Sequence, residues 1–176
     1  MDATDGTVRP YDPTTDWSGL WTCKRAFERE LAAGDGAKAD RYEGKLTAEY
    51  RERYRAWVAD CVDREPDCVV VCEGDGEVPE AADAPAGVVG YAFVLPADFA
   101  MIWDGAVLNE LYLAPDLRGT GSADALIDAA VEHARGQELP LDRLLLDVGP
   151  DNERARAFYE RHGFEPWGEM VARDLT

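Results

Sequence analysis

The sequence predicts one α/β domain in which helices cover a mixed sheet. Its 176 residues suffice for a single hydrophobic core, and a second domain is not expected at this length, so residues 1–176 form the predicted domain. Short runs rich in β-branched residues predict strands, and longer segments with apolar residues three and four apart predict helices. The predicted order is β-α-α-β-β-β-α-β-α-β, which contains six strands and places each of the last two helices between strands.

The first half holds three of the predicted strands, over residues 8–11, 68–72 and 87–95. Asp16 is a suitable N-cap for the first helix, whose apolar positions are Trp17, Leu20, Trp21, Phe27 and Leu31. Residues 34–36 interrupt that helix. The second helix carries one apolar stripe, for which core packing is the default interpretation: Leu46, Tyr50, Tyr54, Trp57, Val58 and Cys61. The acidic residues 73–85, with several Gly, Pro and Ala, predict an exposed hairpin loop.

In the second half, residues 106–113 predict the fourth strand, and residues 122–135 a helix with one clean apolar face. Residues 143–148 predict a fifth strand, placed centrally in the sheet because it is almost continuously apolar. Asn152 then caps a last helix that ends at Gly163, and residues 164–175 predict a sixth strand.

The charge is strongly acidic, with 36 Asp and Glu against 18 Lys and Arg and a formal net charge of -18. A basic partner would call for a clustered acidic patch or tail, whereas these acids are spread from Asp2 to Asp174, and only three of the basic residues are lysines. Such dispersion suits molar salt, where a Debye length of roughly 3 Å screens self-repulsion. We therefore expect a halophilic protein, and the missing basic footprint argues against nucleic acid as substrate.

The sequence has neither a long apolar segment nor a basic, apolar leader at its start, so we expect a cytoplasmic protein that does not bind membranes. The four cysteines lack paired metal-ligand spacing and lie far from both histidines. We interpret Cys23, Cys61, Cys68 and Cys72 as free thiols of the core and expect no metal site.

Chemistry is concentrated in residues 108–123, which run from a strand through a turn into a helix. Gly119 and Gly121 allow the backbone to approach a ligand closely, and the amides that begin the helix attract anions. Arg118 adds a permanent cation beside them. The segment lacks the Gly-Lys-Ser/Thr of a Walker loop, and Asp124 stands where a dinucleotide-binding loop has its third glycine.

Residues 110–115 and 118–123 resemble motif A of the GCN5-related N-acetyltransferases (GNAT), whose signature is R/Q-x-x-G-x-G/A. Residues 152–164 resemble motif B of that family, N-x-x-A-x-x-F-Y-x-x-x-G-F. Ser122 departs from the aliphatic residue usual in the family. The resemblance implies the GNAT fold, with a mostly antiparallel sheet, and an acetyl-coenzyme A-dependent N-acetyltransferase.

The resemblance also implies a role for each matching residue. Backbone groups of Leu111 and Leu113, on either side of Tyr112, would pair with the pantetheine amides. The diphosphate would lie on the amides of Arg118, Gly119, Thr120, Gly121, Ser122 and Ala123. Asn152 would contact the pantetheine arm, with Ala155 and Phe158 packed near it. Tyr159 would protonate the departing thiolate, and Glu110 is the candidate general base for the acceptor amine.

The same roles make chemical sense, since acyl transfer from a thioester needs a neutral amine and a protonated leaving group. Two alternatives stay open, a non-catalytic acyl-coenzyme A-binding sensor and a nucleotide-binding regulator, and a homodimer is possible. In the family the acceptor usually enters beside the first helices and the loop before the fourth strand. This region supplies Trp17, Trp21, Tyr50, Tyr54, Phe99, Trp103 and several acids, which would suit a cationic amine, either a small metabolite or a protein amine.

Overall fold

The computed structural model describes residues 6–79 and 87–175. Two parts of the sequence predictions lie outside the described residues. They are the start of the chain, where no leader is expected, and residues 80–86 of the predicted hairpin loop. Residue contacts divide the chain into two compact units, one up to Leu146 and one from Asp147 onward. The extent of the predicted single domain stays a prediction.

The first unit contains a five-stranded sheet in which the strands follow their order along the chain. Its strands are β1 (Thr7–Pro10), β2 (Val69–Gly74), β3 (Gly87–Val94), β4 (Ala106–Leu113) and β5 (Leu144–Leu145). Neighbouring strands from β1 to β4 are antiparallel, and β4 and β5 are parallel. The predicted class, a mixed and mostly antiparallel sheet flanked by helices, is confirmed.

The helices of the first unit are α1 (Trp17–Leu31), α2 (Gly36–Lys45), α3 (Ala48–Arg64) and α4 (Ser122–Arg135), with short 3-10 turns over Ala97–Ile102 and Pro115–Leu117. Asp16 is the N-cap of α1, as predicted, although its carboxylate binds Arg9 and the Asp12 amide instead of the helix amides. Among the described residues, no helix is long and apolar enough to cross a membrane.

The core lies on both faces of the sheet. The predicted aromatic stripes pack together between α1 and α3, where the rings of Trp17, Trp21 and Tyr54 lie about 6 Å apart. On α4 the predicted apolar face is buried at Leu126, Ile127, Ala130 and Ala134. The four cysteines are buried and free, which confirms their interpretation as core thiols.

Three predictions about the strands are wrong. The described chain has five strands, not six, because residues 164–175 adopt no regular structure and are exposed apart from Phe164. The fifth strand is limited to Leu144–Leu145 and lies at the edge of the sheet, where it pairs with β4 alone among the described strands. Its apolar side chains are half-buried, so an apolar run alone did not indicate a central position.

The second predicted helix corresponds to α3, except that Leu46 is the C-cap of α2 instead of part of α3, and α2 is an additional helix that the sequence did not predict. Sequence periodicity missed α2 because this helix buries none of its residues. The Asp35 carboxylate accepts a hydrogen bond from the Lys38 amide at its start, and the Arg29–Glu43 ion pair attaches it to α1. Its stability therefore comes from polar contacts that leave no apolar pattern.

Candidate active site

Within the first unit, one side of β4 is unpaired beyond the first residues of the strand. β5 pairs with β4 only at Ala106 and Val107, whereas β3 pairs with β4 as far as Leu113. The register on β3 shifts between Phe93 and Val94, which leaves Asn109 as an extra residue in β4. Such a bulge bends and twists a strand, which gives a physical reason for the short β4–β5 ladder.

The backbone of Leu111 and Leu113 faces this open edge. The Ala114 amide donates to the Val89 carbonyl of β3, and backbone groups alternate in direction along a strand. Tyr112 therefore directs its peptide groups toward β3, while Leu111 and Leu113 direct theirs away from it. A further extended chain could add to the sheet at this position.

The loop between β4 and α4 has the geometry of an anion site. Gly119 and Gly121 have φ values of 87° and 102°, a left-handed conformation that L-residues rarely adopt. Gly121 is the N-cap of α4 and provides no side-chain cap for its first amides. The amides of Arg118 and Thr120 donate within the loop, to Pro115 and Leu117. The remaining loop and first-turn amides are those that an anion can use.

Arg118 is held in place by two contacts within the first unit. Its Nε donates to the Leu113 carbonyl over 2.8 Å, and its Nη2 lies 2.5 Å from a carboxylate oxygen of Glu30. Arg118 thus connects the end of β4, the loop and α1. These contacts give its guanidinium a structural role in addition to the predicted positive charge beside an anion.

Ser122, which departs from the resemblance, has a local structural role. Its side chain is buried, and its Oγ accepts a hydrogen bond from the Gly6 amide at 3.0 Å. The Thr120 hydroxyl lies 3.0 Å from the same oxygen. A serine at this position therefore links the start of α4 to the residue before β1, a role that an aliphatic side chain cannot perform.

Glu110 lies at the centre of a buried polar group that we call the Glu110 cluster: Lys24, Glu28, Tyr54, Tyr91 and Glu110. Its Oε1 accepts from Lys24 Nζ at 2.6 Å, and its Oε2 accepts from the hydroxyls of Tyr54 and Tyr91, each at 2.7 Å. Lys24 Nζ also lies 2.5 Å from Glu28 Oε1. All five side chains are at most 5 % exposed, so α1, α3, β3 and β4 meet through charged and polar groups.

The charges of the cluster support one another. Burial opposes the charge on Lys24, but the carboxylates of Glu110 and Glu28 raise the pKa of Lys24 above its ordinary value. Burial likewise opposes ionisation of Glu28, yet Lys24 and then Lys45, 2.6 Å from its Oε2, lower the pKa of Glu28. Burial and the charge of Glu110 raise the pKa values of Tyr54 and Tyr91 well above the ordinary value.

These shifts predict a loss of stability at alkaline pH. Lys24 and the two tyrosines have pKa values raised by folding, so their contribution is complete below pH about 10, where the unfolded groups titrate, and is lost as pH rises through the folded values. Urea unfolding from pH 8 to 11.5 should show a falling free energy of unfolding above pH about 10. Tyr54→Phe should reduce that slope. A constant free energy up to pH 11 would contradict the prediction.

In the second unit, Asn152 is the N-cap of α5 (Glu153–Arg161), as predicted, and Gly163 follows this helix with a φ of 83°. The Asn152 carboxamide oxygen accepts from the Ala155 amide at 3.1 Å, so this oxygen caps the helix. The Tyr159 ring packs against Phe158 and Phe164, and burial raises the pKa of Tyr159 to about 12. Tyr159 therefore keeps its proton at neutral pH.

The predicted site residues from Glu110 to Ala123 lie in the first unit, and those from Asn152 to Tyr159 lie in the second. That the two groups meet stays a prediction. Among the aromatic residues on the expected acceptor side, Trp17, Trp21 and Tyr54 are buried, while Trp103 is half exposed. Within the described residues, no group of His, Cys, Asp and Glu is arranged to hold a metal ion.

The partners of Glu110 were missed from the sequence, although α1 contains a signal for them. Lys24 and Glu28 are four residues apart and share the helix face of Leu20 and Trp21, where apolar residues are expected. Charged residues of opposite sign within an apolar stripe indicate a buried ion pair. Tyr54 was interpreted as core packing, and its hydroxyl is what connects α3 to Glu110.

Comparison with known proteins identifies the family. The model of the acetyltransferase (GNAT) family matches residues 32–164, so this chain belongs to that family. It is 40% identical over 76 residues to an uncharacterized N-acetyltransferase of Methanocaldococcus jannaschii, covering 39% of this chain and 32% of that protein. It is 28% identical over 130 residues to a peptidyl-lysine N-acetyltransferase of Escherichia coli, covering 74% of this chain and 70% of that protein.

Among solved structures, the PaiA N-acetyltransferase of Thermoplasma acidophilum, in complex with coenzyme A, is similar in fold. The TM-score is 0.67 with 17% sequence identity, over 91% of this chain and 89% of that one. This similarity concerns the fold alone. The chain spans about a third to a half of the length of the first curated relatives that it matches.

Proposed function

We propose that this chain transfers an acetyl group from acetyl-coenzyme A to an acceptor amine, directly and within a ternary complex. The observation that carries the proposal is the loop between β4 and α4. Two glycines with positive φ, a helix start without a side-chain cap and the unpaired side of β4 follow one another along the chain in the first unit. A diphosphate joined to an extended amide-containing arm has the chemistry that these features accommodate.

In this proposal, the diphosphate lies against the amides of Gly119, Gly121, Ser122 and Ala123, because the amides of Arg118 and Thr120 are already used in the loop. Arg118 and Thr120 hold the loop in shape. Leu111 supplies a carbonyl and an amide to the pantetheine arm, whereas the Leu113 carbonyl is shared with Arg118. Asn152, Ala155 and Phe158 would contact the same arm from α5.

Bound acetyl-coenzyme A supplies an activated acyl group and a thiolate leaving group. Glu110 takes a proton from the acceptor ammonium, so that the nitrogen has a free electron pair for attack. Tyr159 donates its proton toward the departing sulfur. Because burial raises the pKa of Tyr159 to about 12, the hydroxyl carries that proton at neutral pH and donates it as a hydrogen bond that stabilises the negative charge developing on sulfur.

A non-catalytic acyl-coenzyme A-binding module is the second candidate, and one observation favours it. Glu110 is 5% exposed, and both of its oxygens already accept hydrogen bonds. A general base needs a lone pair within reach of the substrate proton. Catalysis by Glu110 therefore requires that one donor turns away when the acceptor binds.

Turnover separates the two candidates. Purified protein is mixed with acetyl-coenzyme A and a panel of amines that includes lysine peptides, polyamines and amino sugars, and free thiol is followed over time. We expect thiol release with at least one acceptor, and a loss of about 100-fold in kcat for Tyr159→Phe with unchanged coenzyme A affinity. Coenzyme A binding in calorimetry without thiol release from any acceptor would favour the binding module.

We also propose that the acidic surface adapts the protein to high salt. The net charge of -18 repels itself in dilute buffer and is screened in molar salt. The midpoint of thermal unfolding should therefore rise by roughly 10 °C or more between 0.1 and 2 M KCl, since a few kcal/mol corresponds to such a shift. A midpoint that is constant or falls over this range would refute the adaptation.

A further inference from the structure

Lys24 is an unusual residue for its position. It is 3% exposed on the apolar face of α1, with its Nζ held between Glu110 and Glu28 and lying over the ring of Tyr54. Replacing such a buried ion pair by apolar residues of similar size is often neutral or stabilising. Stability alone therefore gives no sufficient reason for an ammonium at this position, and a role toward Glu110 is the natural alternative.

The two oxygens of Glu110 have different partners. Oε1 faces the Lys24 ammonium, which Glu28 contacts from its other side. The side-chain amide of Asn109 also donates to Oε1, at 3.3 Å. Among the described residues, the donors to Oε2 are the neutral hydroxyls of Tyr54 and Tyr91. A neutral hydroxyl can turn away at a smaller cost than an ammonium held between two carboxylates. Oε2 is therefore the oxygen that an incoming amine can reach.

We propose that Lys24 is a positioning residue for the transfer reaction, which holds a positive charge against Oε1 of Glu110 and orients the carboxylate so that Oε2 accepts the proton of the acceptor ammonium. This inference rests on the proposed function. In the step itself, an N–H bond of the ammonium breaks and its electron pair stays on nitrogen, while an O–H bond forms at Oε2. Lys24 keeps all of its protons and touches neither substrate.

Among the described residues, Lys24 is the cation that lies beside Glu110. From α1 it faces Lys24, with Glu28 beyond the ammonium, and from α3 and β3 it faces the hydroxyls of Tyr54 and Tyr91. Cys23 interacts with Tyr91, and Lys45 lies on the far side of Glu28. Removal of Lys24 therefore leaves the ionised form of Glu110 with neutral donors only.

The test compares the pH dependence of kcat/KM in the full chain. Lys24→Met should lower kcat about 100-fold at pH 7 and leave the KM for acetyl-coenzyme A within threefold. In the plot of kcat/KM against pH, the acid limb (the rise in activity at low pH) should move upward by about 1–2 pH units. Lys24→Arg, which restores the positive charge, should return the acid limb toward that of the wild type. Lys38→Met, at an exposed lysine of α2, is the matched control and should leave the profile unchanged.

Lys24→Met leaves two carboxylates with less compensation and can prevent folding. The double variant Lys24→Met/Glu28→Gln keeps the total charge of the cluster and still removes the ammonium from Glu110, so it carries the same prediction. Carbon-13 NMR of the Glu110 carboxyl, assigned by comparison with Glu110→Gln, measures its ionisation independently of turnover. The carboxyl signal should titrate at higher pH in the double variant than in the wild type.

The outcomes distinguish the two proposals. One outcome refutes the positioning role and leaves the proposed function intact. In it the wild type turns over, but folded Lys24 variants show the same acid limb of the pH profile and the same carboxyl titration as the wild type. A loss of kcat that Lys24→Arg does not recover, without any shift in pH, also refutes it, because that pattern reflects structural damage. Absence of turnover in the wild type with every acceptor refutes the proposed function and this role with it.

Discussion

Glu110→Ala is expected to lower the free energy of unfolding by about 3–5 kcal/mol. The substitution leaves Lys24 with one carboxylate instead of two, and it leaves the buried hydroxyls of Tyr54 and Tyr91 without their common acceptor. Unpaired buried groups cost far more than a lost surface contact, because water cannot replace the missing partner. Urea unfolding at pH 7 with a fixed salt concentration measures the difference.

A matched control is available on the surface. The Arg29–Glu43 pair also joins a carboxylate to a cation at 2.8 Å, but Glu43 is more than half exposed. Glu43→Gln should therefore leave the unfolding midpoint nearly unchanged, since solvent screens such pairs. Equal losses for the two variants would show that burial does not determine the strength of the Glu110 cluster. A negligible loss for Glu110→Ala would show that the cluster is not formed in solution.

The parts of the fold that follow from local sequence were predicted well. Examples are the bounds of α4 and β4 and the N-cap at Asn152. Each of these depends on residues close in sequence, within one or two helical turns or within one strand. The extent of β5 could not be predicted in this way, because it depends on where β4 bends away at Asn109. An apolar run such as residues 143–148 is compatible with either a central or an edge position.

The candidate site likewise has one part that could be predicted from local sequence and one part that could not. The loop with Gly119 and Gly121 was predicted from adjacent residues, because glycine, strand and helix start occur together in the chain. The setting of Glu110 could not be predicted, since its partners Lys24, Tyr54 and Tyr91 lie 86, 56 and 19 residues away. Sequence alone therefore identified Glu110 as a candidate base but not its surroundings, and the structure shows a buried carboxylate whose two oxygens both accept hydrogen bonds.

The second large effect is expected at the loop itself. Gly121→Ala should weaken coenzyme A binding by about ten- to 100-fold, as measured by calorimetry at constant salt. Gly121 has a φ of 102°, and an L-residue in a left-handed conformation costs roughly 1–2 kcal/mol. The variant loop relieves this strain by rotating its peptide groups, which turns the amides of Gly121 and Ser122 away from the anion. The loss of free energy of coenzyme A binding should therefore exceed the change in the free energy of unfolding.

Gly44→Ala is the control, because Gly44 lies within α2 and an added Cβ meets nothing within 4 Å. Alanine is the better helix former, so this variant should be as stable as the wild type or slightly more so and should bind coenzyme A unchanged. If Gly121→Ala also bound normally, the anion would not lie against the start of α4. The central observation behind the proposed function would then be lost.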